Sequence, residues 1–157
     1  MELIRLRNVI KQYDNGNVIA LNNINLSIEE GSFVSIIGPS GSGKSTLLNM
    51  IGALDKPDYG EIIINGIDIS KQKDLSDLRQ KEIGFIFQLH NLLPNLTVLE
   101  NVEIPLIGTG LSQKDQHRRS ELFIEAVGLL DKKNVKPNNL SGGQRQRVAL
   151  GRAIVRN

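Results

Sequence analysis

Two segments near the start of the chain alternate apolar and polar residues, as half-exposed β-strands do. The first covers residues 3–7, and the second covers residues 18–28. The polar sequence Asp14-Asn15-Gly16-Asn17 lies between them and is typical of a turn. Alternation on both sides of a turn predicts an antiparallel β-sheet in the N-terminal part of the chain.

Two shorter segments, residues 33–37 and 83–87, are apolar almost throughout. Continuous apolar runs of this length are typical of strands that are buried on both faces. We therefore predict that these segments are neighbouring strands of an α/β sheet. Residues 61–64, which precede an Asn-Gly turn, predict a further strand.

Helices are predicted where polar capping residues precede a helical pattern. The sequence predicts helices over residues 44–53 and 74–81. Thr97 and Ser112 each begin a sequence with the spacing of a capping box, and each predicts another helix. A last helix follows the sequence Leu140-Ser141-Gly142-Gly143-Gln144. The fold class expected from these elements is α/β.

Length and composition favour a globular protein with one core. The chain has 157 residues, of which 39% are hydrophobic and 23% are charged. No apolar run approaches the length that crosses a bilayer, and the N-terminus lacks the pattern of a secretory signal. We expect the chain to stay in the cytoplasm unless a partner holds it at a membrane.

The charge pattern and the amino-acid usage exclude several kinds of site. The 19 basic and 17 acidic residues are interspersed, aromatic residues make up 4%, and tryptophan is absent, so no nucleic-acid partner is expected. The absence of cysteine excludes disulfides, thiolate metal sites and a cysteine nucleophile. His90 and His117 have no partner histidine at metal-ligand spacing.

The central motif of the chain follows the first buried strand. Gly38, Gly43, Lys44 and Ser45 occupy every fixed position of the pattern G-x-x-x-x-G-K-[ST]. A predicted strand precedes this motif and a predicted helix begins within it, which is the context that the pattern requires. The sequence therefore predicts a cradle for nucleotide phosphates.

The residue types of this motif match the chemistry of phosphate binding. Backbone N–H groups converge on an anion only in dihedrals that glycine tolerates, and Gly38, Gly41 and Gly43 are spaced for that purpose. Lys44 at the start of a helix adds a full charge toward the β and γ phosphates. Ser45 adds a hydroxyl oxygen that suits Mg²⁺.

Tyr13 and Gln88 are further candidates, each with two interpretations. Tyr13 precedes the predicted turn, where its ring could stack on an adenine or could simply be half-buried in a strand. Gln88 ends a predicted strand, so its amide could reach a metal or an attacking water. The residues alone favour the alternative that Gln88 hydrogen-bonds its own loop.

The segment before the last helix carries a second candidate site. Ser141 and Gln144 could merely cap that helix. The adjacent Gly142 and Gly143 weaken a helix start by about 1 kcal/mol each, which capping alone does not require. They are explained if another group approaches the backbone there, since a helix N-terminus with a free hydroxyl is an anion site.

The two glycine-bearing motifs in this order resemble the ATP-binding subunits of ABC transporters. Residues 140–144 are similar to the signature motif of that family, Tyr13 to its adenine-stacking aromatic residue and Gln88 to its Q-loop glutamine. Residues 87–106 resemble the branch that serves lipoprotein release and macrolide or antimicrobial-peptide export.

The resemblance implies a set of site residues. Lys44 and Gln88 would be catalytic, and Ser45 and Gln88 would bind Mg²⁺. The residues that would contact ATP are Tyr13, Gly38, Pro39, Ser40, Gly41, Ser42, Gly43, Lys44, Ser45, Thr46, Gln88, Ser141, Gly142, Gly143 and Gln144.

The resemblance also implies a fold, partners and a mechanism. The fold would be a P-loop NTPase core with an N-terminal antiparallel β subdomain and a helical signature subdomain. Two copies would face each other head to tail, with ATP on one cradle and the signature motif of the other copy over the γ-phosphate. Dimerisation on ATP would be passed to transmembrane permease subunits through the region of Gln88, at the inner face of the cell membrane.

The end of the chain departs from the pattern of the family. There the signature helix is followed by the Walker B strand with its aspartate, a catalytic glutamate and a switch histidine, whereas this chain ends at Asn157. We therefore expect residues 1–157 to be an incomplete ABC-type ATP-binding domain that binds nucleotide but does not hydrolyse it. A missing strand would leave an exposed sheet edge and apolar surface.

Two other functions are compatible with the same motifs. One is the ATPase head of a chromosome-maintenance or DNA-repair protein, although no heptad repeat of the expected coiled coil lies between Lys44 and Leu140. The other is a short regulator that binds nucleotide or a partner subunit without hydrolysis.

Overall fold

The computed structural model describes residues 1–156, which form two compact units. The first unit is Met1–Glu82, and the second begins at Ile83. No helix in the described part of the chain combines the length and apolarity needed to cross a membrane.

A four-stranded antiparallel sheet forms the first unit. Strand β1 (Glu2–Tyr13) pairs with β2 (Val18–Glu29) on one side and with β3 (Tyr59–Ile64) on the other. The short strand β4 (Ile67–Asp68) pairs with β3, so the order is β2-β1-β3-β4. A single 3-10 turn, Asp14–Gly16, connects β1 to β2. The predicted N-terminal antiparallel sheet is therefore confirmed, together with its turn.

Apolar residues in register bury one face of this sheet. Leu6 of β1 pairs with Leu26 of β2 and with Ile62 of β3. Leu6 is 2% exposed and Ile62 is fully buried. Burying a side chain of this size contributes about 1.5–3 kcal/mol, so the cross-strand row fixes which way each strand faces.

Two helices complete the first unit. Helix α1 (Lys44–Ile51) is two residues shorter than expected at its C-terminal end, and helix α2 (Ser76–Glu82) matches its predicted position within two residues. Met50 of α1 is fully buried, as is Ala53 directly after the helix. These contacts anchor the C-terminal end of α1 and leave its N-terminal end at the surface.

The predicted strand over residues 33–37 is not present. These residues have no regular secondary structure and join no sheet. Phe33 is completely exposed and Ile37 is 89% exposed, which agrees with the predicted apolar surface. An apolar run records a preference for burial, but a strand also needs a partner ladder, and none of the described residues provides one here.

In the second unit, residues 83–87 also form no strand, contrary to the prediction. The local backbone still places alternate side chains together, because the rings of Phe85 and Phe87 stack at a centroid distance of 5.5 Å. Gly84 packs so closely on the end of the last helix that a Cβ would lie 2.2 Å from the carbonyl oxygen of Ala153. Hydrogen-bonded pairing is again what is missing.

Helices build the second unit. They are α3 (Val98–Glu103), α4 (Gln113–Ala126) and α5 (Gly142–Ile154). Short 3-10 helices join them at Ile104–Leu106, Leu130–Lys132 and Pro137–Asn139. The buried core of the unit consists of Val98, Leu99, Val102, Leu106, Ile124, Leu129, Leu140, Val148 and Val155.

Both predicted caps are present at the starts of α3 and α4. At α3, the Thr97 hydroxyl accepts from the N–H of Glu100, and the Glu100 carboxylate accepts from the N–H of Thr97 at 2.7 Å. The bonds from the backbone and then the hydroxyl of Thr97 lower the pKa of Glu100 below its usual value. At α4, Ser112 caps the helix, but Asp115 accepts from its hydroxyl instead of completing a capping box.

Asn101 is a fully buried polar residue that organises the loop before α3. Its amide oxygen accepts from the N–H of Leu93 at 2.8 Å. Its amide nitrogen donates to the carbonyl oxygens of Leu93, Leu96 and Thr97 at 3.1, 3.2 and 2.9 Å. One side chain thereby hydrogen-bonds four backbone groups of the loop between Leu93 and Thr97.

We predict that Asn101→Leu lowers the free energy of unfolding by about 2–4 kcal/mol, because it removes all the hydrogen bonds of a fully buried amide, including those to the N–H of Leu93 and the carbonyl of Leu96. Urea unfolding followed by circular dichroism measures this change. The control is Asn134→Leu, at an exposed position of the same unit, with an expected effect within about 0.5 kcal/mol. Equal stability of Asn101→Leu and the unaltered chain would contradict this role.

Candidate functional site

The glycine-rich loop of the first unit owes its course to a close approach to β2. Gly43 has φ of +85°, and a Cβ at this position would lie 2.4 Å from the carbonyl oxygen of Ala20. Only glycine fits, because both the dihedral and the contact exclude a side chain. Gly41 also has a positive φ, +79°, but a Cβ at this position would meet nothing within 4 Å, so the loop backbone at Gly41 is accessible to a ligand.

The Lys44 side chain folds back across this loop. Its ammonium group donates to the carbonyl oxygen of Gly38 at 2.9 Å, to that of Pro39 at 2.6 Å and to the Ser42 hydroxyl at 3.4 Å. Lys44 forms no ion pair with any residue that the structure describes. The loop therefore holds a full positive charge without a neutralising carboxylate.

Helix α1 begins directly at this loop without a side-chain cap. Its N-cap residue is Gly43, which has no side chain to offer, and the first helical bond runs from the N–H of Leu47 to the carbonyl of Gly43. The N–H groups of the first turn are therefore available to an external acceptor, at the positive end of the helix dipole. Lys44 and these groups together make a site for an anion.

A cavity of about 400 Å³ connects the loop to Tyr13. Tyr13 is 41% exposed at the end of β1, so the strand fixes its backbone while its ring remains accessible. The other lining residues are Val18, Ile19, Ala20, Ser40, Gly41, Gly43, Lys44, Ser45 and Thr46. Both interpretations of Tyr13 fit this arrangement, because the residue is half-buried at the end of a strand and also lines the cavity beside the phosphate cradle.

The chain offers neutral oxygen ligands to a metal ion at this site. Ser45 lines the cavity, whereas no cluster of three histidine, aspartate or glutamate side chains able to hold a metal occurs in residues 1–156. A Mg²⁺ ion would therefore need its charge balanced by phosphate oxygens, which is the usual way that Mg²⁺ is bound in nucleotide sites. The residues present fit such an ion only together with its nucleotide.

Gln88 lies in the second unit, in a turn after the segment 83–87. Its side chain is exposed and makes no hydrogen bond to a described residue. The simpler alternative, a bond to its own loop, is therefore not what the structure shows. The Gln88 amide remains available to a ligand.

An arginine that sequence reasoning missed holds the Gln88 turn to α5. Arg152 donates to the carbonyl oxygen of Asn91 at 2.7 Å and to that of His90 at 2.8 Å. Both His90 and Asn91 have positive φ, 61° and 46°, so the guanidinium stabilises a strained backbone. Burial lowers the pKa of Arg152. Nothing in the sequence spacing indicates this pair.

The second glycine motif forms the start of α5. The Ser141 hydroxyl accepts from the N–H of Gln144 at 3.3 Å, and the Gln144 side chain accepts from the N–H of Ser141 at 2.8 Å. The capping interpretation is thus realised. It does not account for Gly142 and Gly143, since a Cβ on either would meet nothing within 4 Å.

Comparison with known sequences decides the family. The sequence profile described as ABC transporter matches residues 21–157, which is most of the chain. The chain belongs to the ABC transporter family. We refer to its two glycine motifs by the names of the family motifs that they resemble, the Walker A motif and the signature motif.

Several ABC transporter proteins match this chain over nearly the whole of residues 1–157. An ATP-binding protein of an ABC transporter from Thermotoga maritima is 48% identical over 98% of this chain and 67% of its own length. The lipoprotein-releasing system ATP-binding protein LolD of Bacteroides thetaiotaomicron is 46% identical over 98% of this chain and 70% of LolD. The chain thus spans about two thirds of the length of these relatives.

Solved structures confirm the fold class. The dimeric structure of MJ0796, a protein of Methanocaldococcus jannaschii, matches with a TM-score of 0.90 at 49% identity, over 99% of this chain and 70% of MJ0796. A post-hydrolysis state of MJ0796 bound to ADP and Pi matches with the same TM-score at 48% identity. The chain has the α/β fold of an ABC ATPase with a P-loop NTPase core, as predicted.

We predict that Arg152→Met loosens the Gln88 turn, because two backbone carbonyls in left-handed conformations lose their shared donor. Hydrogen exchange of the amides of residues 88–91 should become at least about tenfold faster, which corresponds to about 1.4 kcal/mol of local stability. The control is Arg147→Met, an exposed arginine of the same helix. Unchanged exchange in Arg152→Met would contradict the assignment.

Proposed function

We propose that this chain is the ATP-binding, energy-coupling part of an ABC-type membrane exporter. The observation that supports this proposal best is the single cavity shared by Tyr13 and the Walker A loop, with the unneutralised ammonium of Lys44 inside that loop. A nucleoside triphosphate combines the two chemistries that the cavity offers, a flat base and a polyanion. Tyr13 would stack on the adenine of ATP.

The Walker A residues would bind the phosphates of ATP. Lys44 would exchange the carbonyl oxygens of Gly38 and Pro39 for β and γ phosphate oxygens, and the free N–H groups at the start of α1 would donate hydrogen bonds to the same anion. Ser40, Gly41, Ser42, Gly43 and Thr46 would complete the cradle around it. Ser45 and Gln88 would hold Mg²⁺, and a Mg²⁺ ion bound there neutralises charge on the phosphates.

The signature motif would act on the nucleotide of a second copy. Ser141 and Gln144 cap α5 while Gly142 and Gly143 leave its first turn open, so the helix N-terminus is accessible to a phosphate from outside the unit. The dimeric MJ0796 structures support a head-to-tail pair. ATP would then join the two copies, because each nucleotide contacts both.

Binding without hydrolysis is the activity that we propose for residues 1–157. Lys44 and Gln88 are the catalytic residues that the sequence supplies, and they orient phosphate and water without removing a proton. The described residues contain no carboxylate cluster at which a metal and a water could be activated. We propose that residues 1–157 belong to one ATP-binding domain.

Transmembrane permease subunits are the other partners that we propose. LolD-type relatives support this role, since their name describes a lipoprotein-releasing system. The Gln88 turn would transmit the movement of dimerisation to the permease, because Leu89 beside Gln88 is 83% exposed and offers the permease an apolar contact. The chain would then lie in the cytoplasm, held at the inner face of the membrane by the permease.

We predict that Mg-ATP shifts the chain from a mass near 17.4 kDa toward twice that value, because two signature motifs close over two nucleotides. Light scattering after size exclusion measures the mass. Lys44→Ala should abolish both ATP binding and pairing. Gly143→Val should keep ATP binding within about twofold and lose pairing, since the added side chain meets nothing in its own unit but blocks the approach of a partner.

The matched control is Glu125→Val, which places the same side chain at an exposed position of α4 and should pair normally. If Gly143→Val pairs on Mg-ATP as well as the unaltered chain does, the role of the signature motif is wrong. If Lys44→Ala retains ATP affinity, the Walker A assignment is wrong.

A further inference from the structure

Lys11 is a charged residue that β1 buries, with only 9% of its surface exposed. It lies two residues before Tyr13, so the two side chains emerge on the same face of the strand. A lysine at such a position needs compensation, because burial removes the hydration of its ammonium group. The contacts of the ammonium group therefore indicate the role of Lys11.

The ammonium of Lys11 is held entirely by the segment that follows α1. It contacts both carboxylate oxygens of Asp55, at 3.1 and 3.0 Å. It also donates to the carbonyl oxygen of Lys56 at 2.8 Å and lies 3.7 Å from a carboxylate oxygen of Asp58. Burial raises the pKa of Asp55, but the bonds from Lys11 and the backbone outweigh it, so that the net pKa is lowered.

The same two groups contact Tyr13. The ammonium nitrogen of Lys11 lies 5.5 Å from the centroid of the Tyr13 ring, which is within the range of a cation–π contact. The Tyr13 hydroxyl donates to the carboxylate of Asp55 at 3.4 Å. Tyr13 is thus held at its ring by one partner of the ion pair and at its hydroxyl by the other.

This ion pair is only partly buried, since the Asp55 side chain is 37% exposed, and such a pair is weak support for stability. The ion pair matters for orientation, because charged hydrogen bonds are directional and fix the positions of the groups that they join, whereas apolar contacts do not. Here the fixed object is an aromatic ring at the mouth of the nucleotide cavity.

We propose that Lys11 and Asp55 are positioning residues that hold the Tyr13 ring for stacking on the base of the nucleotide. This inference rests on the proposed function. The pair reaches the base only through Tyr13, because neither Lys11 nor Asp55 lines the cavity beside the phosphate loop. Loss of the pair therefore weakens the recognition of the base and leaves the recognition of the triphosphate unchanged.

The test compares the dissociation constants of Mg-ATP and of magnesium tripolyphosphate, which lacks a base, by titration calorimetry. Lys11→Met should weaken Mg-ATP by about fivefold or more, within the range expected of one aromatic stacking contact, and change tripolyphosphate by less than about twofold. Lys11→Arg should recover most of the loss. Lys73→Met, an exposed lysine of the same unit, is the matched control and should change neither.

A double substitution separates positioning from general support. In a Tyr13→Ala background, Lys11→Met should have no further effect on Mg-ATP, because the ring that it positions is gone. If Lys11→Met does not fold, Asp55→Asn decides the question with the same measurements, since it removes the charge and keeps the shape.

Three results would overturn the inference. The first is equal weakening of Mg-ATP and tripolyphosphate by Lys11→Met, which would indicate a purely structural role. The second is unchanged affinity for both. The third is an undiminished effect in the Tyr13→Ala background. If the unaltered chain binds neither compound, the proposed function falls and the inference falls with it, whereas normal binding by the unaltered chain confines the failure to Lys11.

Discussion

The loop site of the first unit depends on the ammonium group of Lys44, a positive charge that has no ion-pair partner among the described residues. The Lys44 ammonium rests on loop carbonyls and a hydroxyl, and no carboxylate of the described chain neutralises it. The loop can take this course because Gly43 approaches the backbone of β2 more closely than any side chain would permit. Strand, loop and helix therefore combine to keep a positive charge and a set of free N–H groups available to a polyanion.

The second unit also has a helix N-terminus that is accessible to an anion, at the start of α5. The first turn of α5 is open on its outer side, because its glycines carry no side chain and its cap is internally satisfied. At the other end of the same helix, Arg152 fixes the strained turn after Gln88, and Gly84 lets the chain pack against Ala153. A single helix thus carries the second glycine motif at one end and supports the turn after Gln88 at the other. This arrangement suits an element that links nucleotide contacts to a partner surface.

The sequence predicted those features that depend on local pattern. The antiparallel sheet follows from period-two alternation, the caps at Thr97 and Ser141 follow from spacing, and the Walker A loop follows from its glycines. The strands expected over residues 33–37 and 83–87 were wrong, because apolarity does not reveal whether a partner strand is present. Lys11 and Arg152 were missed for another reason. Each acts on groups more than 40 residues away, Lys11 on Asp55 and Arg152 on His90, and a single sequence carries no signal of such pairs.

The most direct test of the account is amide hydrogen exchange on the unaltered chain, with and without Mg-ATP. The account predicts that exchange slows by about tenfold or more at the amides of residues 41–46, because the phosphates bind the free N–H groups of the loop and of the first turn of α1. Two results would contradict this prediction: Mg-ATP binds but the exchange of these amides stays the same, or the amides that it protects lie elsewhere in the chain.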